Sequence, residues 1–174
     1  TPTRIQLMTG KYNIRNYIAF GVLDPRERTF GHMMSEAGYA TVISGKWQLY
    51  SYNPPDYLPE WRDKGTLPRD AGFHEWCLWH PLETEDKGSR YVDPIVEVNG
   101  ELRGPLRGQY GPDVYTDFLL DFISRNKDRP WFGYYPMALP HTPFNPTPHS
   151  ADWATGNRLK DDDRYFGDMV EYID

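Results

Sequence analysis

The sequence predicts an α/β protein, a mostly parallel central sheet flanked by helices, on three observations. A helix-like stretch at 29–37 is stopped by Gly38 and passes directly into the β-branched segment 39–44. An amphipathic stretch at 112–126 leads, through a basic turn, into the continuous apolar run Trp131-Phe132-Gly133-Tyr134-Tyr135-Pro136-Met137. Such a run suits a central parallel strand covered on both faces. Helices therefore alternate with buried strands, which is the α/β pattern.

The elements follow in order. Residues 2–9 read as a first helix, with Thr1 as its cap and Pro2 at the first helical position, where a missing N–H costs nothing. In the second helix Thr29 is the cap, and Phe30, Met33, Met34 and Ala37 share one face. Residues 50–70 are rich in Pro, Asp and Arg and read as a loop, and 72–79 as a short strand. The charged stretch from Glu83 to Ser89 reads as a mobile loop. Alternation around Asn99-Gly100 predicts a hairpin over 95–102, standing off the main sheet. In 112–126 the apolar face is Val114, Tyr115, Phe118, Leu119, Phe122 and Ile123, and Asp113, Asp117 and Asp121 form a solvated stripe beside it. A Pro- and His-rich loop precedes a last helix at 163–173, which the charged run Asp161-Asp162-Asp163 opens.

With 13 Tyr, 8 Phe and 6 Trp, the chain is too aromatic for disorder, so its 16 Pro and 15 Gly shape ordered loops. A net charge of −6 argues against nucleic acid or an anionic membrane as the partner. No apolar run approaches the roughly 20 residues that cross a bilayer. The single cysteine, Cys77, has no partner for an intrachain disulfide and reads as a buried structural thiol.

In open α/β sheets, ligands bind outside the carboxyl ends of the strands. Two predicted strands end in chemically loaded loops, Gly45-Lys46-Trp47-Gln48 and Pro140-His141-Thr142-Pro143-Phe144. Lys46 and His141 are thereby nominated as neighbours in a site. Arg4, on the first helical turn, joins them; a helix start, a guanidinium and an ammonium together attract an anion. Trp79, His80, Arg90 and Tyr91 flank the variable loop and are candidate contacts for a sugar, since aromatic faces and Arg suit one. His32, His74 and His149 read as surface or loop residues.

Two of these segments carry a resemblance. Thr1-Pro2-Thr3-Arg4, followed by an apolar pair and Thr9-Gly10, resembles the sulfatase motif Cys-x-Pro-[Ser/Thr]-Arg without its Cys. Gly38-Tyr39-Ala40-Thr41-Val42-Ile43-Ser44-Gly45-Lys46-Trp47-Gln48-Leu49 is similar to the second sulfatase motif, Gly-Tyr-x-Thr-x-x-x-Gly-Lys-Trp-His-Leu. Gly72-Phe73, the loop His141-Thr142-Pro143-Phe144 and the stretch Met169-Val170-Glu171-Tyr172-Ile173-Asp174 extend the likeness over the whole chain. The resemblance implies an alkaline-phosphatase-like sandwich, with 1–174 as part of the catalytic domain. That part would lack an N-terminal metal-binding strand and a C-terminal portion, and would be inactive alone.

The resemblance also implies the chemistry. The missing Cys becomes formylglycine, whose hydrate attacks the sulfur of a sulfate ester, and calcium or another divalent cation activates it. Arg4 would support the nucleophile, Lys46 would contact sulfate, and His141 would serve the leaving oxygen. Lys46, His141 and Arg90 are the substrate-binding candidates, and the metal ligands are expected outside the chain. Gln48 departs from the family His, and an amide is no base near neutral pH, so it is a contact or orienting residue. The expected substrate is a sulfated carbohydrate or a small aryl or alkyl sulfate. The expected partner is a formylglycine-generating enzyme or anaerobic maturase, and the expected location is periplasmic or secreted. The alternatives are a phosphonate or phosphate ester hydrolase of the same superfamily, and a catalytically dead homologue that binds sulfated glycan.

Overall fold

A computed structural model describes residues 2–50, 58–61, 64–79 and 88–174. Thr1, His80, most of the Glu83–Ser89 loop and part of 50–70 lie outside the described residues. Four α-helices and five strands are described: α1 (Pro2–Thr9), α2 (Phe30–Glu36), β1 (Ala40–Lys46), β2 (Glu75–Trp79), β3 (Val96–Val98), β4 (Glu101–Arg103), α3 (Gly111–Asn126), β5 (Trp131–Tyr134) and α4 (Tyr165–Glu171).

The strands form one sheet in the order β4-β3-β2-β1-β5. β1 pairs in parallel with β2 and with β5, while β2-β3 and β3-β4 are antiparallel. The predicted α/β class holds, with a parallel half and an antiparallel half. The hairpin is not a surface excursion. Asn99 (φ 51°) and Gly100 (φ 95°) both take left-handed backbone, which matches the twist of the strands and lays the hairpin onto β2 as the sheet's edge.

Side chains alternate between two layers, as period-two strands require. Ile43, Trp76 and Leu78 face a core shared with Ile5 and Met8 of α1, together with Trp47, Phe73 and Phe30. On the opposite face Val42 packs with Phe122 of α3, and Cys77 and Trp79 pack with Tyr115. The Ser44 hydroxyl, fully buried on that side, donates to the Tyr115 carbonyl at 2.9 Å. Burial raises the Cys77 thiol to about 12, so it stays protonated as the structural thiol expected.

Two faces differ from the sequence pattern. In α2, Met33 is exposed and only Gly31 is fully buried, because Phe30 alone reaches the aromatic cluster of Phe73, Phe132 and Tyr134. Thr29 does cap the helix, with the His32 ring completing a capping box. β5 is shorter than 131–137, and among the described residues it pairs only with β1. Trp131 and Gly133, which share one face of β5, are exposed where coverage on both faces was expected.

Phe122 is the fully buried anchor of α3 against β1. Phe122→Ala is expected to cost about 3–5 kcal/mol, the range for emptying a large aromatic site. Urea unfolding of wild type and variant measures it.

Candidate active site

The site grows from the carboxyl end of β1. Gly45 lies at φ 123°, and a Cβ there would stand 2.6 Å from the Pro136 carbonyl oxygen. Glycine is thus required twice over, by conformation and by space. The close approach lets the Lys46 N–H donate to Pro136 at 3.0 Å, continuing the β1-β5 ladder past its last paired strand residue. The chain after Lys46 is equally fixed: Trp47 is fully buried and its indole N–H donates to the Thr66 carbonyl at 2.8 Å.

Arg4 closes this end from the helix side. Its Nη1 donates to the carbonyls of Lys46 (2.9 Å) and Trp47 (2.6 Å). Burial lowers the guanidinium to about 10, with Tyr134 opposing the shift and Arg90 adding to it. The side chain therefore remains charged at neutral pH, and Arg90 is near enough for its charge to be felt.

His141 comes from the loop after β5. Its N–H closes a turn onto the Ala138 carbonyl at 3.1 Å, and the buried Tyr91 hydroxyl lies 2.8 Å from the Ala138 oxygen and 2.6 Å from the His141 oxygen. The His141 Nδ1 lies 2.8 Å from the Thr142 carbonyl oxygen. A carbonyl only accepts, so Nδ1 carries the proton and Nε2 is the nitrogen left for chemistry.

Arg4, Lys46 and His141 line one cavity of about 550 Å³, with Phe20, Tyr134 and the 136–140 segment as its other walls. The two strand-end residues and the helix-start arginine nominated from sequence are thus brought together. Phe20 carried no signal in the sequence, because an isolated aromatic in a loop has no periodicity to interpret.

Arg90 and Gln48 do not line this cavity. Arg90 stacks its guanidinium on the Trp79 ring at 4.5 Å, and the Lys46 ammonium stands 5.8 Å from the same ring. The Nη1 of Arg90 is buried with no hydrogen-bond partner among the described residues. Trp79 and Tyr91 are themselves 2% and 0% exposed, so neither presents a face to a sugar. They are core residues that set Arg90 and the His141 turn in place. Gln48, 7% exposed, has left-handed backbone (φ 52°) and a buried Oε1 without a partner among the described residues.

The other described histidines have structural partners. His74 Nδ1 accepts from the Thr41 N–H at 3.1 Å, His32 takes part in the α2 cap, and exposed His149 packs edge-on against Tyr172. Asp161 does not open α4, which starts at Tyr165; its carboxylate accepts from the Phe144 N–H at 2.8 Å and pins the His141 loop. Among the described residues no three His, Cys, Asp or Glu side chains gather as a cation site. The residues described do not by themselves fit a divalent cation. Among the described residues, no helix is long and apolar enough to cross a membrane.

The parallel half of an α/β sheet ends in a cavity lined by Arg4, Lys46 and His141, an arrangement suited to an anion. The family model described as Sulfatase matches residues 1–174, and the chain belongs to that family. It is 25% identical over 150 residues to N-acetylglucosamine-6-O-sulfatase of Bacteroides thetaiotaomicron, covering 84% of this chain and 23% of the relative. With human arylsulfatase G it is 29% identical over 172 residues, covering 83% of this chain and 32% of the relative. The solved structure of BT4656 in complex with its substrate D-glucosamine-2-N,6-O-disulfate matches with a TM-score of 0.61 at 25% identity, over 84% of this chain and 26% of that one. The crystal structure of Ps i-CgsB matches in fold with a TM-score of 0.67 at 23% identity, over 97% of this chain and 40% of that one. The chain spans about a quarter to a third of the length of the two relatives, 23% and 32%.

Burial raises the Cys77 thiol from 9.0 and the Tyr91 hydroxyl from 10.0, each to about 12. Both groups ionise earlier in the unfolded chain than in the folded one. Their stabilising contribution is whole below pH 9 and is lost as pH rises through about 12. Urea midpoints are expected to fall steadily over that window, and Ellman's reagent is expected to label Cys77 at pH 8 only in denaturant.

Proposed function

We propose that the protein containing this chain hydrolyses sulfate esters, with sulfated carbohydrates as the substrate class. The observation that carries the proposal is the meeting of Arg4, Lys46 and His141 in one cavity of a sulfatase-family chain. The carbohydrate preference draws on the N-acetylglucosamine-6-O-sulfatase relative and on the neighbour solved with a disulfated glucosamine.

A formylglycine at the position before Thr1 would supply the nucleophile that attacks sulfur. The residues of this chain would draw in the ester and serve its leaving group. A sulfate ester entering the cavity meets the Lys46 ammonium, and the charge of Arg4 adds to the attraction from behind the Lys46 carbonyl. The walls at Phe20, Pro136 and Leu139 lower the local dielectric, which strengthens that attraction as charge shifts in the transition state. When the bond from sulfur to the leaving oxygen breaks, that oxygen becomes negative, and Nε2 of His141, once it carries a proton, is the group suited to give it up. Gln48 does not line the cavity and holds left-handed backbone (φ 52°) directly after Trp47.

The test uses the full-length, matured protein with 4-nitrophenyl sulfate and 6-O-sulfated N-acetylglucosamine. Release of sulfate from both is expected, with no matching release of phosphate from the corresponding phosphate esters. Lys46→Ala is expected to lower kcat/KM by roughly 10²–10³, the usual loss when one charge-stabilising donor is removed. Lys46→Arg is expected to restore little, because a planar fork does not replace a compact ammonium. An active full-length protein whose Lys46→Ala variant is unimpaired would place the reaction elsewhere.

A further inference from the structure

We infer that Tyr91 is a positioning residue for His141, its buried hydroxyl setting the imidazole for protonation of the leaving group. This rests on the sulfatase reading and adds to it a residue whose own side chain never reaches the cavity.

The geometry is specific. Ala138 and His141 are the first and last residues of a turn closed by the His141 N–H. The Tyr91 hydroxyl sits within hydrogen-bond distance of the carbonyl at each end, 2.8 and 2.6 Å. One hydroxyl proton shared between two acceptors holds the turn at both ends. Among the described residues, the hydroxyl is the bond given to the His141 carbonyl. Burial keeps this hydroxyl protonated up to about 12, against the opposing pull of Arg90 and of the bond to His141, so it donates throughout any working pH.

Tyr91 is itself held on every side. The Ser89 hydroxyl accepts from the N–H groups of Tyr91 and Val92, both at 3.0 Å. The ring stacks on Tyr110 with 6.1 Å between centroids and 26° between planes. The preceding residue, Arg90, is fixed by stacking on Trp79, and its carbonyl lies so close to Gly111 that a Cβ there would meet it at 2.0 Å. A side chain this constrained transmits its position to whatever it binds, and what it binds is the turn that carries His141. A displacement of about 1 Å in a catalytic group is enough to cost on the order of a hundredfold in rate.

The role predicts a signature that general loss of packing does not give. A good leaving group departs without a proton, whereas a poor one needs it. In the full-length enzyme, Tyr91→Phe keeps the buried ring and removes only the hydroxyl. Its kcat/KM is expected to fall on the order of tenfold or more for an alkyl sulfate, and to stay within about twofold for 4-nitrophenyl sulfate. His141→Ala should show the same selectivity, more strongly, and adding Tyr91→Phe to it should cost nothing further, because the two act as one unit. Ser89→Ala, which loosens Tyr91 but keeps its hydroxyl, should give the alkyl-selective loss at smaller amplitude. Equal losses on both esters, no loss on either, or additive losses in the double variant would overturn the inference while leaving the sulfatase reading intact. A wild-type enzyme that cleaves neither ester would overturn both.

Discussion

The site depends on one backbone contact, the hydrogen bond from Lys46 to Pro136. Parallel strands leave their last donors and acceptors facing loops, and a loop that carries catalytic groups needs a fixed point of departure. Pro136 supplies it in a particular way. It offers a carbonyl, which accepts from Lys46, but no N–H, so the ladder continues by one bond and then stops. Gly45 allows the approach, since any Cβ would strike the accepting oxygen. From that point the β1 chain leads Lys46 to the cavity, and the β5 chain departs toward His141. The relative position of the two residues begins at this bond.

Electrostatics explain why the end of β1 needs Arg4. The cavity gathers a lysine and a buried arginine, with Arg90 close by, and like charges in a partly desolvated place repel. Burial of the guanidinium away from water is the main cause of the depression of Arg4 to about 10, and the charge of Arg90 adds a smaller part. Part of this cost is offset by the carbonyls of Lys46 and Trp47, whose negative ends face the guanidinium. Arg4 and Lys46 both line the cavity, and positive charge gathered there suits an anion. The aromatic face of Trp79 does similar work for Arg90 and Lys46 without adding an anion that would compete with a substrate.

Much of this was legible in the sequence. Helix starts, the Gly38 stop, the β-branched strand and the Asn99-Gly100 turn are local signals, and each led to the right element. The convergence of Arg4, Lys46 and His141 followed from a general rule about strand ends. The failures concern sides and neighbours. Periodicity said that Met33 and Phe30 share a face, but not that only Phe30 would meet an aromatic cluster. An apolar run said that 131–137 is sheet, but a run cannot say how many strands lie beside it. Trp79 and Tyr91 seemed suited to a sugar because aromatics suit sugars, and only their burial shows that they serve the scaffold.

The two halves of the site are held by different physics, and proline is the reason. Between 136 and 148 the chain has prolines at 136, 140, 143, 146 and 148, each without an N–H. Such a segment cannot join a ladder, and a helix through it is barred. Beyond a few turn bonds, such as the His141 N–H on Ala138, its order comes from side chains: Tyr91 on the His141 turn, Asp161 on Phe144, and Ser150 on Thr147. Lys46, by contrast, is held mainly by backbone pairing that Gly45 admits, with Arg4 on its carbonyl. The lysine side is therefore carried largely by a short motif around one glycine. The histidine side needs matching residues from segments some 50 positions earlier and 20 later, where no local pattern marks them as belonging together.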